Sequence, residues 1–193
     1  MLMPYKMDIS LTRIPYSNWI IIFITTVSYF FQINGVYSHT TIEAMALNDW
    51  SPASLLGNMF LHGSLFHLLG NMLFLWLFGN AVCSSIGNGW FPLVYLFLGV
   101  LASVIHNLFS GVPAIGASGA INGIVGIALI WFPLNKLKVF YFYLIFYIPK
   151  AGSFLIKTYW MIIIWLLFDI IGILIAGGGI AHCPTHSDQP GRQ

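Results

Sequence analysis

The stretch GASGAING, from Gly116 to Gly123, places one hydroxyl group, that of Ser118, among residues with almost no side chain. If a helix begins near Gly116, Ser118 lies in its first turn, where backbone N–H groups lack intrahelical partners and negative charge is favoured. That position suits a nucleophile whose reaction develops an oxyanion, and Gly116 and Gly119 would let a substrate approach closely. The same residues also fit a structural interpretation, with Ser118 as an N-cap and Gly119-x-x-x-Gly123 as a packing motif.

A second apolar run, FLHGSLFHLLGNMLFLWLFG, contains the polar residues His62, His67 and Asn71. His67 and Asn71 are four residues apart and would share one face of a helix. Two donors on one face could hold a carbonyl oxygen as it gains charge, although they equally suit hydrogen bonds to a neighbouring helix. His62 is five residues from His67, about 140° round a helix, a spacing that argues against a metal pair. No metal pair is therefore predicted from these residues.

A histidine that reaches the same side of the fold could act as the base for Ser118. His182 follows three glycines after the last apolar run, and His186 is a second candidate. A neutral imidazole there would take the proton of Ser118 if the two helix ends adjoin, whereas a solvated tail histidine would not. Asp169 lies inside the run and is interpreted as a buried structural acid. We therefore predict a Ser–His dyad rather than a triad.

The composition predicts an integral membrane protein. Of its 193 residues, 59% are hydrophobic and only 6% are charged, whereas about a quarter of a soluble domain is charged. With no repeat and no linker, we assign residues 1–193 to a single membrane-embedded domain. A net charge of +2 gives no sign of a nucleic-acid partner. Cys83 and Cys183 form neither a disulfide framework nor a paired metal motif.

Apolar runs of about 20 residues predict spanning helices, so the fold class is an all-α polytopic bundle. There are about five such runs, roughly Trp19–Gly35, Leu55–Leu77, Trp90–Phe109, Ser118–Phe132 and Tyr159–Ala176. A sixth run, Val139–Ile148, would reach only about 15 Å as a helix, half of the hydrocarbon core. That run is predicted to be interfacial or re-entrant rather than spanning.

Lysine and arginine residues predict the orientation of the chain. Lys6 and Arg13 precede the first span, and four more lysines lie between Lys136 and Lys157. Because cytoplasmic loops are enriched in such residues, the N-terminus (residues 1–18) and the region 136–157 are predicted to be cytoplasmic. The loop 110–117 and His182 are then outside, and Ser118 and His182 meet at the outer face.

Taken together, these residues resemble the rhomboid family of intramembrane serine proteases over roughly Trp50 to His182. FLHGSLFHLLGNM is similar to the second-helix signature of the family, GASGAINGIVG to its nucleophile segment and GGGIAH to the approach to its last helix. The resemblance implies a compact six-helix bundle with Ser118 as the nucleophile. Asn71, with His67 and the Ser118 N–H, would stabilise the oxyanion. The substrates would be transmembrane segments of other proteins, and no metal or cofactor is implied. The expected location is a bacterial inner (cell) membrane.

The end of the sequence departs from the family pattern of Ala-His-x-Gly-Gly followed by an apolar helix. Aligned on GGGIA, the catalytic histidine of the family falls nearer Thr185 than His182, and residues 183–193 form a polar tail that cannot span a bilayer. The last helix is therefore expected to be missing, with little or no proteolysis by this chain. Gly119, Gly123 and Gly126 are predicted to form the groove for that helix. The alternatives are a rhomboid-like protein that binds membrane clients without catalysis, and a small channel or transporter.

Overall fold

A computed structural model describes residues 2–9, 11–110, 112–145, 148–163 and 167 of the chain. Seven α-helices and three strands lie wholly in these ranges, and residues 158–163 are also helical. The seven helices and three strands are β1 (Leu2–Met7), α1 (Tyr16–Ile33), α2 (His39–Met45), α3 (Pro52–Gly57), α4 (Leu65–Phe74), α5 (Asn80–Ile86), α6 (Phe91–Phe109), α7 (Ser118–Trp131), β2 (Lys136–Ile145) and β3 (Ile148–Lys157).

Three helical stretches are long and apolar enough to cross a membrane: α1, the continuous stretch Leu65–Ile86 and α6. The fourth, α7, has 14 residues and is about 21 Å long. The predicted helical membrane bundle is thus confirmed. Most of the predicted fifth span, Tyr159–Ala176, lies outside the described residues.

The second span begins at Leu65, so the predicted start at Leu55 was wrong. The Ser64 hydroxyl caps α4 by accepting a hydrogen bond from the His67 N–H (3.1 Å), and this Ser N-cap was readable in the sequence. Leu55 instead belongs to α3, which a 3₁₀ turn follows. His62 therefore lies before the helix rather than within it. A π-helical turn (Leu75–Gly79) joins α4 to α5.

Three antiparallel strands in the order β1-β2-β3 form a sheet that the sequence analysis did not predict. Within the run Val139–Ile148, residues 139–145 lie in β2 and Ile148 begins β3, so the helix from which the length of about 15 Å was calculated does not form there. That the run does not span the membrane stays a prediction. Along β2, Leu137 and Val139 are buried while Lys136 and Lys138 are exposed. This period-2 alternation is the signal of a half-buried strand, and the apolar character of the run concealed it.

Two strand pairings constrain which segments share a side of the membrane. β1 pairs with β2, so the N-terminal segment and the segment after α7 must lie on one side. Leu47 and Ala114 exchange two backbone hydrogen bonds of 2.9 and 3.0 Å, which joins the loop after α2 to the loop before α7. Four crossings, by α1, the stretch 65–86, α6 and α7, satisfy both pairings. This count is the one on which the predicted orientation depends.

Single cysteines at Ser110 and Ser153 test that orientation, in a background without Cys83 and Cys183. Both serines are exposed, and cysteine closely matches serine in size. We expect a membrane-impermeant maleimide to label position 110 from outside intact cells and position 153 only after permeabilisation. The two positions control for each other's reactivity in detergent. Equal labelling of both from outside would mean that the segment after α7 crosses the membrane.

The glycines of α7 pack against α6. A methyl group on Gly119 would lie 2.6 Å from the Ala102 Cβ, and one on Gly123 would lie 2.7 Å from a Leu98 methyl group. The expectation that these two glycines form a groove for a last helix was therefore wrong, because α6 already occupies it. The Gly119-x-x-x-Gly123 packing interpretation is confirmed.

Candidate active site

Ser118 is the first residue of α7, and the N-cap position is taken by Ala117, with no side-chain cap. The interpretation of Ser118 as an N-cap was therefore wrong. Its hydroxyl makes no hydrogen bond to any residue that the structure describes, and the residue is half-buried. The Ser118 N–H is one of the first backbone donors of the helix, in the positive field of its N-terminus. A partly enclosed hydroxyl beside such donors is available for chemistry.

Gly116 brings the Ser118 segment against the second span. Its φ of +125° is a conformation that side chains disfavour. A methyl group there would lie 2.7 Å from His67 Cε1 and 3.9 Å from Asn71 Nδ2. The structure thus places Gly116, which is two residues before Ser118, next to the two predicted oxyanion residues of α4. Only glycine allows the backbone to approach the His67 ring so closely.

The Asn71 amide is buried, and its Nδ2 has no hydrogen-bond partner among the described residues. A buried donor without a partner is costly, and such groups are uncommon. The His67 ring lies edge-on to that of His62, with centroids 5.1 Å apart. Burial, together with the charge of His67, lowers the pKa of His62 to about 4, so His62 is neutral at neutral pH.

Asn58 holds the loop that precedes Ser118, a role that sequence reasoning missed. Its backbone carbonyl oxygen accepts a hydrogen bond from the Gly116 N–H (2.8 Å). Its side-chain Nδ2 donates to the Ser54 backbone carbonyl (2.6 Å) and to Ser103 Oγ (3.0 Å). These bonds join α3, α6 and the loop before α7. The interaction depends on tertiary contacts, so no local sequence pattern indicated it.

A cavity of about 130 Å³ lies beside Ser118. Its polar lining includes Asn58, Ser103 and His106, and its small lining residues include Gly116 and Gly119. His106, to which the sequence gave no role, has its Nε2 2.7 Å from the Val112 carbonyl. One water needs only about 10–15 Å³ of such space and two to four polar partners, so this cavity has room for several.

The predicted bases lie outside the described residues. His182 and His186 both fall in the range 168–193, as does Asp169, so their placement relative to Ser118 stays a prediction. Within the described part of the chain, no group of three or more His, Cys, Asp or Glu residues has a geometry that would hold a metal ion. The chemistry of the described site thus rests on a hydroxyl, an amide, imidazoles and backbone donors.

Gly116→Ala should lower both stability and activity, because the alanine would adopt a positive φ and its methyl group would overlap His67. We expect a loss of about 1–3 kcal/mol in the free energy of unfolding in detergent. The matched control is Gly126→Ala, since Gly126 has nothing within 4 Å of an added methyl group and alanine favours helix. Thermal unfolding in detergent measures the stability of the two variants. Equal stability of the two variants would contradict the close approach of Gly116 to His67.

A helix start with a hydroxyl that bonds to no described residue, two residues after a glycine that contacts an imidazole and approaches a buried amide, lies here inside a bundle of apolar helices. This arrangement defines an integral membrane protein with a candidate serine site. The family profile described as "Rhomboid domain" matches residues 49–184, more than half of the chain. The chain belongs to the rhomboid family.

Relatives in bacteria and mitochondria agree with this assignment. The chain is 37% identical over 119 residues to "Rhomboid protease GluP" of Bacillus subtilis, covering 58% of this chain and 23% of that protein. It is 31% identical over 119 residues to "Rhomboid protease GlpG" of Klebsiella pneumoniae, covering 62% and 40%. It is 32% identical over 125 residues to the human "Presenilin-associated rhomboid-like protein, mitochondrial", covering 60% and 32%. The matches thus span well under half the length of these relatives.

Proposed function

We propose that this protein is an intramembrane serine endopeptidase that cleaves transmembrane segments of other membrane proteins. The observation that supports this most is the position of Ser118. Ser118 is the first residue of α7, and its hydroxyl makes no hydrogen bond to a described residue. It lies two residues after Gly116, which contacts His67 and approaches Asn71. The two relatives named as rhomboid proteases agree with the reaction class.

In the proposed reaction, Ser118 Oγ attacks the carbonyl carbon of the scissile peptide. His182, with His186 as the second candidate, accepts the hydroxyl proton and passes it to the leaving amine. The C–N bond breaks, leaving an ester on Ser118. Water then attacks the ester while the histidine accepts one proton from it, and the histidine gives that proton to Ser118 Oγ as the ester C–O bond breaks and the acid product leaves. No metal or redox partner takes part in these steps.

The developing oxyanion is assigned to Asn71 Nδ2, the His67 ring and the Ser118 N–H. Asn71 Nδ2 is buried and lacks a partner, so a substrate oxygen would satisfy a donor that the described residues leave unpaired. An interaction made mainly in the transition state accelerates the reaction, and in a site shielded from water its effect is large.

The cavity beside Ser118 supports the second half of the reaction. Ester hydrolysis needs water, which is scarce inside a bilayer, and the polar groups of Asn58, Ser103 and His106 line a space that admits it. Storage of water next to the nucleophile is the role that we assign to this cavity.

Asn71→Ala tests the oxyanion assignment. We expect kcat to fall by about 10²–10³, with little change in KM, because the amide acts mainly in the transition state. The assay follows cleavage of a transmembrane peptide in liposomes by the full chain. The control is Asn80→Ala on the same span, since Asn80 bonds to Asn18 and Trp19 of α1. A similar kcat for the Asn71→Ala and unaltered chains would remove Asn71 from the mechanism.

The proposed location is a bacterial inner membrane with a cytoplasmic N-terminus, in line with the two bacterial relatives. A rhomboid-like protein that binds membrane clients without cutting them is the alternative, and the expectation of little or no proteolysis by this chain belongs to that alternative. The alternative would be favoured if the unaltered chain captures transmembrane peptides but does not cleave them, and if Ser118 does not react with a fluorophosphonate probe.

A further inference from the structure

One face of the three-stranded sheet concentrates positive charge. Lys136 and Lys138 are two residues apart on β2, and Lys136 pairs directly with Lys157 of β3. Directly paired residues of antiparallel strands point to the same face, so the three exposed lysines share it. We call this surface the lysine face. On the neighbouring strand β1, Lys6 is the register partner of Lys138.

The opposite face of the sheet is fixed to the helix bundle. Met7, Leu137 and Val139 are buried, and Met7 and Leu137 belong to the same hydrophobic cluster as the helices. Burial on this side determines the register, because a shift of one residue would bury the lysines and expose the apolar side chains. The lysine face is therefore held outward by the fold.

The lysines of this face repel one another within the sheet. Like charges directly opposite each other destabilise a sheet, and Lys136 and Lys157 are such a pair. Lys138 lies on the same face, two residues further along β2. Three like charges held on one exposed face are complementary to an anion.

The lysine face lies close to a membrane interface. β2 begins five residues after α7 ends at Trp131, and Trp160 follows β3 by three residues. Both tryptophans are about half exposed, at 48% and 51%. Tryptophans at helix ends sit at the level of the lipid headgroups. Lysines between two such residues are within reach of the phosphates.

We propose that the lysine face binds anionic phospholipid headgroups of the leaflet that borders the Trp131 end of α7. Each lysine near a negatively charged bilayer strengthens such binding about fivefold. The fixed sheet holds three of them together, whereas a flexible basic tail would have to be ordered first. This interaction is independent of the reaction at Ser118.

The test measures lipid retained by the purified full chain from mixed micelles of equal phosphatidylglycerol and phosphatidylcholine, by native mass spectrometry. We expect the unaltered chain to retain more phosphatidylglycerol than phosphatidylcholine. In the triple variant K136Q/K138Q/K157Q, the ratio of the two retained lipids should fall by about tenfold or more. The matched variant K136R/K138R/K157R keeps the charge and should keep the preference. One molar salt should abolish the preference of the unaltered chain, a readout that needs no variant.

The glutamine variant should unfold in neutral detergent at the same or a higher temperature, because repulsion between Lys136 and Lys157 is removed. An unchanged lipid preference in that variant, or one that resists salt, would overturn the proposal. Displacement of phosphatidylglycerol by inorganic phosphate at equal concentration would also overturn it, since the face would then bind free anions rather than headgroups.

Discussion

Ser118→Ala should lower the kcat for cleavage of a transmembrane substrate by about 10⁴–10⁶. Without the hydroxyl no acyl-enzyme forms, and only direct attack by water, assisted by the oxyanion donors, remains. The substitution should leave the fold intact, because the Ser118 hydroxyl neither caps α7 nor bonds to a described residue. A fluorophosphonate probe should modify the unaltered chain at Ser118 and leave the alanine variant unmodified.

Ser110→Ala is the matched control, since Ser110 is an exposed serine at the other end of the same loop. It should retain full cleavage and full probe labelling. Both variants should elute as the same species in detergent and unfold at similar temperatures. Undiminished cleavage by the Ser118→Ala variant would remove the serine mechanism altogether.

The spans and the chemical residues were predictable because each is encoded locally. A run of about 20 apolar residues forms a helix wherever it lies in a membrane. The segment GASGAING indicates the start of a helix whose first residues have small side chains. The sheet was not predicted, because apolar and aromatic residues such as Phe140 and Tyr141 masked the alternation of Leu137, Lys138 and Val139. The pairing of β1 with β2 joins residues at least 130 positions apart, which no local pattern encodes.

The site shows the same division. His67 and Asn71 were found from their i, i+4 spacing, which holds because both lie in α4. The contact of Gly116 with His67 and the bonds of Asn58 were not found, because they depend on how the loop before α7 packs against the second span and α6. The groove predicted along α7 failed for a related reason. Small residues predict a close helix partner, but not which helix it is.

Identification of the base should come from three histidine variants measured side by side. A general base needs a nitrogen within about 2.6–3.2 Å of Ser118 Oγ in the reactive complex. His182 and His186 are the predicted candidates, and His106 lines the cavity next to Ser118. The His106 Nε2 is engaged with the Val112 carbonyl, so His106→Ala should weaken cleavage only modestly.

If His182 is the base, His182→Ala should lower kcat about as much as Ser118→Ala, whereas His186→Ala should have a few-fold effect. The roles exchange if His186 is the base, and in either case the double variant should be inactive. Added imidazole should restore part of the activity of the variant that lacks the base, and it should not rescue Ser118→Ala, because imidazole replaces a proton acceptor and not a nucleophile. Full activity in the double variant would eliminate the proposed dyad, and a large loss of activity in His106→Ala would then identify His106, in the same cavity as Ser118, as the base.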